Sequence, residues 1–132
     1  MRGQLAGVEL ERRDGVAVAI LSGEIDMSNA TSVRQEIAEF VVSNDDAVVI
    51  DLSDVGFIDS AGLHALVELG GVLSERRQQL LLCAPEDSHV ARAIEIVGMQ
   101  RTITVYGDRD VALQAARDSV PDSRPVAPPN QS

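Results

Sequence analysis

The sequence predicts an α/β domain in which about four helices cover a mixed, mostly parallel sheet of about five strands. Short runs of aliphatic and β-branched residues alternate with stretches whose apolar residues recur every three or four positions. That alternation is typical of strands followed by helices, and crossover connections of this kind favour parallel pairing. An Asp-Gly pair near the start, Asp14 and Gly15, adds one antiparallel hairpin.

The opening of the chain predicts two strands joined by this hairpin. Residues 8–12 form the first strand. Residues 16–21 are nearly all apolar and predict a second strand that is covered on both faces. Gly23 is expected to break this strand.

A polar loop and a first helix follow. Asp26, Ser28 or Asn29 is available to cap a helix that runs to about Val42. The apolar face of this helix is expected to consist of Ala30, Val33, Ile37, Phe40 and Val41.

The centre of the chain predicts a buried strand, a short turn and a helix. The strand is indicated by Val48, Val49, Ile50 and Leu52, and the turn contains Asp54. Asp59 and Ser60 then stand where a helix leaves its first amide groups without partners, and a serine there is ordinarily a cap. The apolar residues of this helix recur at spacings of three and four: Leu63, Leu66, Val67, Gly70 and Leu73.

The last third predicts two more strand–helix pairs. Residues 80–84 form a buried strand, and Asp87 or Ser88 caps a helix over residues 89–97 that Gly98 terminates. The expected apolar residues of that helix are Val90, Ala93, Ile94 and Val97.

An edge strand and a final helix complete the predicted domain. Residues 102–106 alternate as an edge strand, and Asp108 caps a helix that ends near Ser119. We therefore expect one domain over residues 1–120 and a flexible proline-rich tail over residues 121–132.

Composition excludes several functional classes. A net charge of −10 argues against direct binding to nucleic acid or to a membrane surface. All eleven basic residues are arginine, so no lysine is available for a P-loop, a Schiff base or a phosphate clamp. The single cysteine, Cys83, follows apolar residues and is expected to be buried and unreactive. No secretory leader or transmembrane run is visible, which predicts a cytoplasmic protein.

Three stretches resemble STAS domains, and specifically the bacterial anti-anti-sigma factors (anti-sigma factor antagonists). They are LSGEID at residues 21–26, VIDLS through FIDSAGL at residues 49–63, and RAIEIVGM at residues 92–99. The resemblance covers the whole predicted domain, and the central stretch is its most specific part.

The resemblance implies a protein that binds an anti-sigma factor and thereby releases a sigma factor. It implies that Ser60 is phosphorylated, that Asp26 lies beside it, and that Asp59 occupies the acidic position before the serine. The residues implied in partner binding are Glu24, Asp26, Asp59, Ala61, Gly62, Leu63 and His64. Two positions depart from the family pattern: Ala61 replaces a common Ser or Thr, and His64 replaces a common Gly.

The same resemblance implies which proteins act on this one. The anti-sigma factor would be an ATP-dependent serine kinase, and a PP2C-type phosphatase would reset Ser60. The protein itself needs no cofactor and no metal, and is not an enzyme. The alternative is a STAS module that senses a ligand or nucleotide or acts as a scaffold in a stress complex. Oligomeric state stays open, with a homodimer as one alternative.

Other functional classes fit the residues less well. Asp51, Asp54 and Asp59 could suggest a metal site, but their places in a strand, a turn and a helix start argue against convergence. A serine hydrolase would need His64 or His89 to reach Ser60, and the first glycine of its nucleophile elbow is absent. A receiver domain that is phosphorylated on an aspartate would need a lysine near the phosphate, and this chain contains no lysine.

Overall fold

The computed structural model describes residues 6–119 and confirms the predicted α/β fold. The five strands are β1 (Gly7–Arg13), β2 (Val16–Ile25), β3 (Ala47–Ile58), β4 (Gln79–Cys83) and β5 (Thr104–Tyr106). The four α-helices are α1 (Ala30–Phe40), α2 (Ser60–Glu75), α3 (His89–Val97) and α4 (Arg109–Ser119). A short 3-10 helix, Met99–Arg101, follows α3. The predicted tail over residues 121–132 lies outside the described residues.

The five strands lie side by side in chain order, β1 to β5. β1 and β2 are antiparallel, and the hairpin between them has positive φ at Asp14 (54°) and Gly15 (80°). Both residues therefore adopt the left-handed conformation that a two-residue hairpin turn requires. The remaining neighbours pair in parallel, so β2 to β5 all end at one edge of the sheet. We call this the carboxyl edge, and the opposite one the amino edge.

Helices cover both faces of the sheet. α1, α2 and α3 pack on one face, where Leu21, Ile50, Leu52 and Leu82 belong to the main core. Of the described helices, only α4 covers the other face, over Val18, Val49 and Leu81 among others. Residues 47–52 of β3 are buried throughout because helices lie above and below them.

Two strand boundaries predicted from the sequence were wrong. Gly23 does not break β2, because the strand pairs with β3 as far as Ile25 and Gly23 takes φ +85° at an irregularity in the register. The expected turn after Leu52 is also absent. β3 continues to Ile58, with Asp54 inside it, and shifts in its register with β2 absorb the extra residues.

Other helix and strand ends differ from their predicted positions by a few residues. α1 ends at Phe40, before the predicted Val42, and β5 begins at Thr104 because the 3-10 helix occupies the chain before it.

Local capping signals were mostly correct. The Ser88 hydroxyl accepts a hydrogen bond from the Ala91 amide (3.1 Å), and the Asp108 carboxylate accepts one from the Val111 amide (3.1 Å). Gly98 ends α3 with φ +76°. Asn29 holds the position before α1, but its side chain makes no capping bond.

A buried polar network closes the amino edge. Asp45 is 2% exposed, and its carboxylate accepts hydrogen bonds from Arg12 Nε (2.7 Å), Arg12 Nη2 (2.8 Å) and the Val42 amide (2.9 Å). Gln78 donates from Nε2 to the carbonyls of Val42 (2.9 Å) and Asp45 (2.8 Å). Arg12 also lies over the Phe40 ring, 4.3 Å from its centroid. This network joins the start of β3 to β1, α1 and the end of α2.

Within residues 6–119, none of the helices combines the length and apolar character needed to span a membrane.

Candidate protein-binding site

The candidate site lies at the carboxyl edge, where β3 ends and α2 begins. Asp59, the residue between them, is the N-cap of α2. Its Oδ1 accepts a hydrogen bond from the Gly62 amide (3.0 Å), and its Oδ2 accepts one from the Met27 amide (3.3 Å). Asp59 also donates its own amide to the Ile25 carbonyl (3.1 Å). One aspartate thus caps the helix and joins it to the loop after β2.

Ser60 is the first residue of α2 and is exposed. The sequence suggested that Ser60 could be an ordinary helix cap, but Asp59 performs that role. Among the described residues, the Ser60 hydroxyl has no hydrogen-bond partner. The hydroxyl is therefore available at the surface without loss of a structural contact.

Gly62 holds the start of α2 against the sheet. A Cβ at this position would lie 2.6 Å from Ile58 Cγ1, 3.0 Å from Ile25 Cγ2 and 3.1 Å from the Ile25 carbonyl oxygen. Only a residue without a side chain fits this close approach. Gly62 therefore sets how deeply the helix start, and with it Ser60, sits on the carboxyl edge.

The loop after β2 forms the neighbouring wall. Asp26 accepts a hydrogen bond on Oδ1 from the Ser28 amide (2.9 Å), and its carbonyl accepts one from the Ala30 amide (2.8 Å). Asn29 Oδ1 accepts from the Asp26 amide (3.0 Å), and Asn29 Nδ2 donates to the Glu24 carbonyl (2.9 Å). These bonds hold Asp26 next to Met27, whose amide contacts Asp59. The structure thus brings Glu24, Asp26 and Asp59 to one region.

The predicted site residues differ in exposure. Glu24 and His64 are exposed, Asp26, Asp59 and Ala61 are partly buried, and Gly62 and Leu63 are buried. The resemblance implied that Ala61, Gly62 and Leu63 contact a partner, but the last two are buried and offer a partner little surface. Leu63 is 7% exposed because it points into the main core.

The exposed apolar surface comes from residues that the sequence did not single out for it. Met27 is 82% exposed beside Asp59, and Val67 and Val97 are about half exposed. We predicted Val67 on an apolar helix face and Val97 among the apolar residues of the next helix, and assigned neither to the surface. They instead border a groove of about 320 Å³ between α2 and α3. The groove is lined by Ser60, Leu63, His64, Val67, Val97, Gly98, Met99 and Thr102.

Side chains at the carboxyl edge also contact each other across elements. The rings of Phe57 and His89 stack, with centroids 5.4 Å apart and planes at 13°. His64 lies one turn after Ser60, and its Nδ1 is 3.9 Å from Glu68 Oε1. The same Glu68 oxygen is 3.5 Å from Arg34 Nε on α1. The Phe57–His89 stack and the Arg34–Glu68 pair join residues that are distant in the chain, and the sequence analysis did not predict them.

The geometry does not assemble a hydrolase or a metal site. His64 is close to Glu68 and His89 stacks on Phe57, and neither hydrogen-bonds to Ser60 in the described part of the chain. Across residues 6–119, no three His, Cys, Asp or Glu side chains are grouped so as to hold a metal ion. Asp51 instead lies 3.4 Å from Arg109 and accepts a hydrogen bond from the Ser53 amide (2.9 Å).

Cys83 is fully buried under α4, as predicted. Burial first, and then the neighbouring Asp51 carboxylate, raises the pKa of the Cys83 thiol to about 12. The thiol is therefore protonated at neutral pH and unreactive.

Residues 7–112 match the STAS domain family, and the chain belongs to that family. The chain is 31% identical to the anti-sigma-F factor antagonist RsfB of Mycobacterium tuberculosis, over 83% of this chain and 88% of RsfB. It is 30% identical to the anti-sigma-B factor antagonist of Listeria monocytogenes, over 74% of this chain and 86% of that protein.

A solved structure gives the same result. The crystal structure of an anti-sigma factor antagonist from Mycobacterium paratuberculosis superposes with a TM-score of 0.79 at 34% identity, covering 89% of this chain and 98% of that one. The predicted resemblance is confirmed. These relatives are named as antagonists of anti-sigma factors, the family that the sequence resembles.

Proposed function

We propose that the protein is a cytoplasmic anti-sigma factor antagonist that is switched off by phosphorylation of Ser60. The unmodified protein binds an anti-sigma factor through the surface around Ser60 and so releases a sigma factor. The anti-sigma factor acts as the ATP-dependent serine kinase, and a PP2C-type phosphatase restores the hydroxyl. The observation that carries the proposal is the exposed Ser60 hydroxyl, which the Asp59 cap leaves without a structural task.

The fold tolerates a phosphate at this position. Ser60 is the first residue of a 16-residue helix, and free amides and the helix dipole at such an end favour an anion. Because the side chain is exposed, a phosphate meets solvent and does not disturb the core. Stability is therefore retained in both states of the switch.

A bound partner does not tolerate the phosphate. Phosphorylation adds about −1.5 to −2 charge units next to Asp59 and near Asp26 and Glu24. Desolvating these like charges together in an interface costs several kcal/mol. A cost of about 3 kcal/mol weakens binding roughly a hundredfold, which is enough for an on–off signal.

The surface also offers apolar contact area for the active state. Met27, Val67 and Val97 expose apolar side chains around Ser60, and Leu63 and Met99 form the base of the groove. Apolar area with a charged rim is typical of protein–protein interfaces. Unmodified Ser60 adds no charge to this surface.

Binding to an anti-sigma factor tests the proposal directly. The unmodified chain, a chain with phosphoserine inserted at position 60 during translation, and Ser60→Glu are compared by calorimetry. We expect a loss of roughly a hundredfold for phosphoserine and a smaller loss for Ser60→Glu, which carries less charge. Ser74→Glu is the matched control, since Ser74 is exposed at the other end of the same helix. Equal affinity of the phosphorylated and unmodified chains would refute the switch.

Mass spectrometry tests the modification itself. The wild type and Ser60→Ala are incubated with candidate anti-sigma factors and ATP. Phosphate on Ser60 in the wild type and none on Ser60→Ala is the expected result. Phosphate on another residue of the wild type would contradict the site assignment.

A further inference from the structure

His64 is placed to face a group attached to Ser60. It lies four residues later on α2, so both side chains are on the same side of the helix one turn apart. Side chains of a helix lean towards its N-terminus, so a group attached to Ser60 lies within the range of His64 rotamers. Both residues also border the same groove, and the His64 side chain is 72% exposed.

The present partner of His64 holds it only weakly. Glu68 Oε1 is 3.9 Å from His64 Nδ1, and both side chains are half exposed or more. Exposed pairs of this kind contribute little to stability. Glu68 also has a permanently charged partner, Arg34 of α1, at 3.5 Å. The Glu68 carboxylate therefore keeps a counter-ion when His64 turns away.

Few other charged groups surround His64. The opposite wall of the groove consists of Val97, Gly98, Met99 and Thr102, none of which titrates. Arg101 lies beside Gly98 and adds a positive charge to that side. Asp59 is occupied by the amides of Gly62 and Met27.

We propose that His64 is the counter-ion of phosphorylated Ser60, and that phosphorylation moves its imidazolium from Glu68 to the phosphate. The inference rests on the proposed phosphorylation of Ser60. It also makes the switch pH-dependent. A protonated imidazole offsets part of the charge that repels the partner, whereas a neutral imidazole does not.

Proton NMR of the two histidines tests the pairing in the full chain with phosphoserine at position 60. His64 and His89 are the only histidines, and His64→Gln and His89→Gln assign their signals. A nearby dianion stabilises the charged imidazole, so we expect the His64 titration midpoint to rise by about 0.3–0.6 pH unit on phosphorylation. His89 stacks on Phe57 outside the groove and is expected to shift less than half as much.

Phosphorus NMR of the same samples gives the reciprocal measurement. An imidazolium favours the phosphate dianion, so its removal by His64→Gln should raise the second phosphate midpoint, ordinarily near pH 6, by about the same amount. His89→Gln should leave that midpoint in place. Arg101→Gln removes the positive charge on the opposite side of the groove, and it is expected to change the second phosphate midpoint less than His64→Gln does.

The proposal is overturned if phosphorylation shifts the His64 midpoint by less than about 0.1 unit, or no more than the His89 midpoint. It is also overturned if Arg101→Gln, and not His64→Gln, moves the phosphate midpoint. Because the phosphate is installed without a kinase and no partner is present, these outcomes do not depend on the proposed function. Conversely, loss of the binding effect at Ser60 would leave the NMR result intact.

Discussion

The two edges of the sheet use an aspartate in opposite ways. At the amino edge, Asp45 is buried and accepts three hydrogen bonds, two of them from the charged Arg12. At the carboxyl edge, Asp59 is partly exposed and accepts two bonds from backbone amides. Asp45 fixes the ends of four elements together, whereas Asp59 organises a helix start and leaves the adjacent serine free.

This difference separates stability from recognition. A buried, fully paired carboxylate has no contact left to offer a partner, and its removal leaves other buried groups unsatisfied. At the carboxyl edge, by contrast, the side chains of Ser60, Met27 and His64 are exposed and can meet a partner. A partner can change the environment of these side chains without breaking the fold.

Asp45→Asn is expected to have the largest effect on stability. The asparagine keeps the size of the side chain but removes the charge that faces Arg12, and it replaces one of the two acceptor oxygens by an NH2 donor. We expect the free energy of unfolding to fall by about 2–4 kcal/mol in urea denaturation. Asp14→Asn is the control, because its pair with Arg117 is long (3.6 Å) and exposed, and should change stability by less than about 0.5 kcal/mol. Weaker partner binding by folded Asp45→Asn would contradict the separation of the two edges.

The Asp45 carboxylate should also contribute to the pH dependence of stability. Burial alone would raise the pKa of Asp45, but hydrogen bonds from Arg12 and the Val42 amide, with the charge of Arg12, hold it below its ordinary value. A lowered native pKa contributes stability above the unfolded value of about 3.9, and this contribution is lost as the pH falls through the native pKa. Unfolding free energy measured below pH 5 should therefore fall less steeply with acid in Asp45→Asn than in the wild type.

Gly62→Ala tests the carboxyl edge with a change that normally favours a helix. Here the new methyl group would meet Ile58 and the Ile25 carbonyl, so we expect a loss of about 1–2 kcal/mol. Gly71→Ala is the matched control on the same helix, since open space surrounds that position, and should stabilise the protein by up to about 1 kcal/mol. A gain in stability for both variants would show that α2 does not depend on its close approach to β2.

Local signals in the sequence predicted the fold but not the neighbours of each residue. The capping roles predicted for Ser88, Gly98 and Asp108 were correct, because a helix cap depends on only a few adjacent residues. The continuation of β3 past Leu52 was missed because it depends on register shifts against β2. Arg12 and Asp45 are 33 residues apart, so only the hairpin and the β3 start, once folded, bring them together.

In the candidate site, too, the sequence predicted local features but not which elements pack against each residue. Periodicity marked Val67 and Val97 as apolar but could not show that no described helix or strand covers them. Asp59 and Ser60 are both good capping residues, and the sequence alone does not decide between them. Packing determines which of the two is the cap. Because α2 buries Leu63, Leu66 and Leu69 in the core, Asp59 takes the N-cap position and Ser60 becomes the first, exposed residue of the helix.

Asp59→Ala should have an intermediate effect. Loss of the bond to the Gly62 amide removes the helix cap, and we expect a fall of about 1 kcal/mol in unfolding free energy. The bond to the Met27 amide is lost as well, so the loop after β2 should exchange its amide protons faster. Asp59→Asn retains a capping oxygen and should lose only a fraction of this stability. An equal loss for alanine and asparagine would show that the charge of Asp59, and not its cap, stabilises the carboxyl edge.

Ser60→Ala is expected to have the smallest effect, and that smallness distinguishes a switch residue from a cap. The hydroxyl is exposed and unbonded, and alanine is a favourable helix residue, so stability should change by less than about 0.5 kcal/mol. Urea denaturation of Ser60→Ala and Asp59→Ala side by side measures the difference. A loss of about 1 kcal/mol for Ser60→Ala would mean that the serine caps α2 in solution. A near-zero change would mean that the Ser60 hydroxyl makes no stabilising contact, so its modification breaks no bond of the fold.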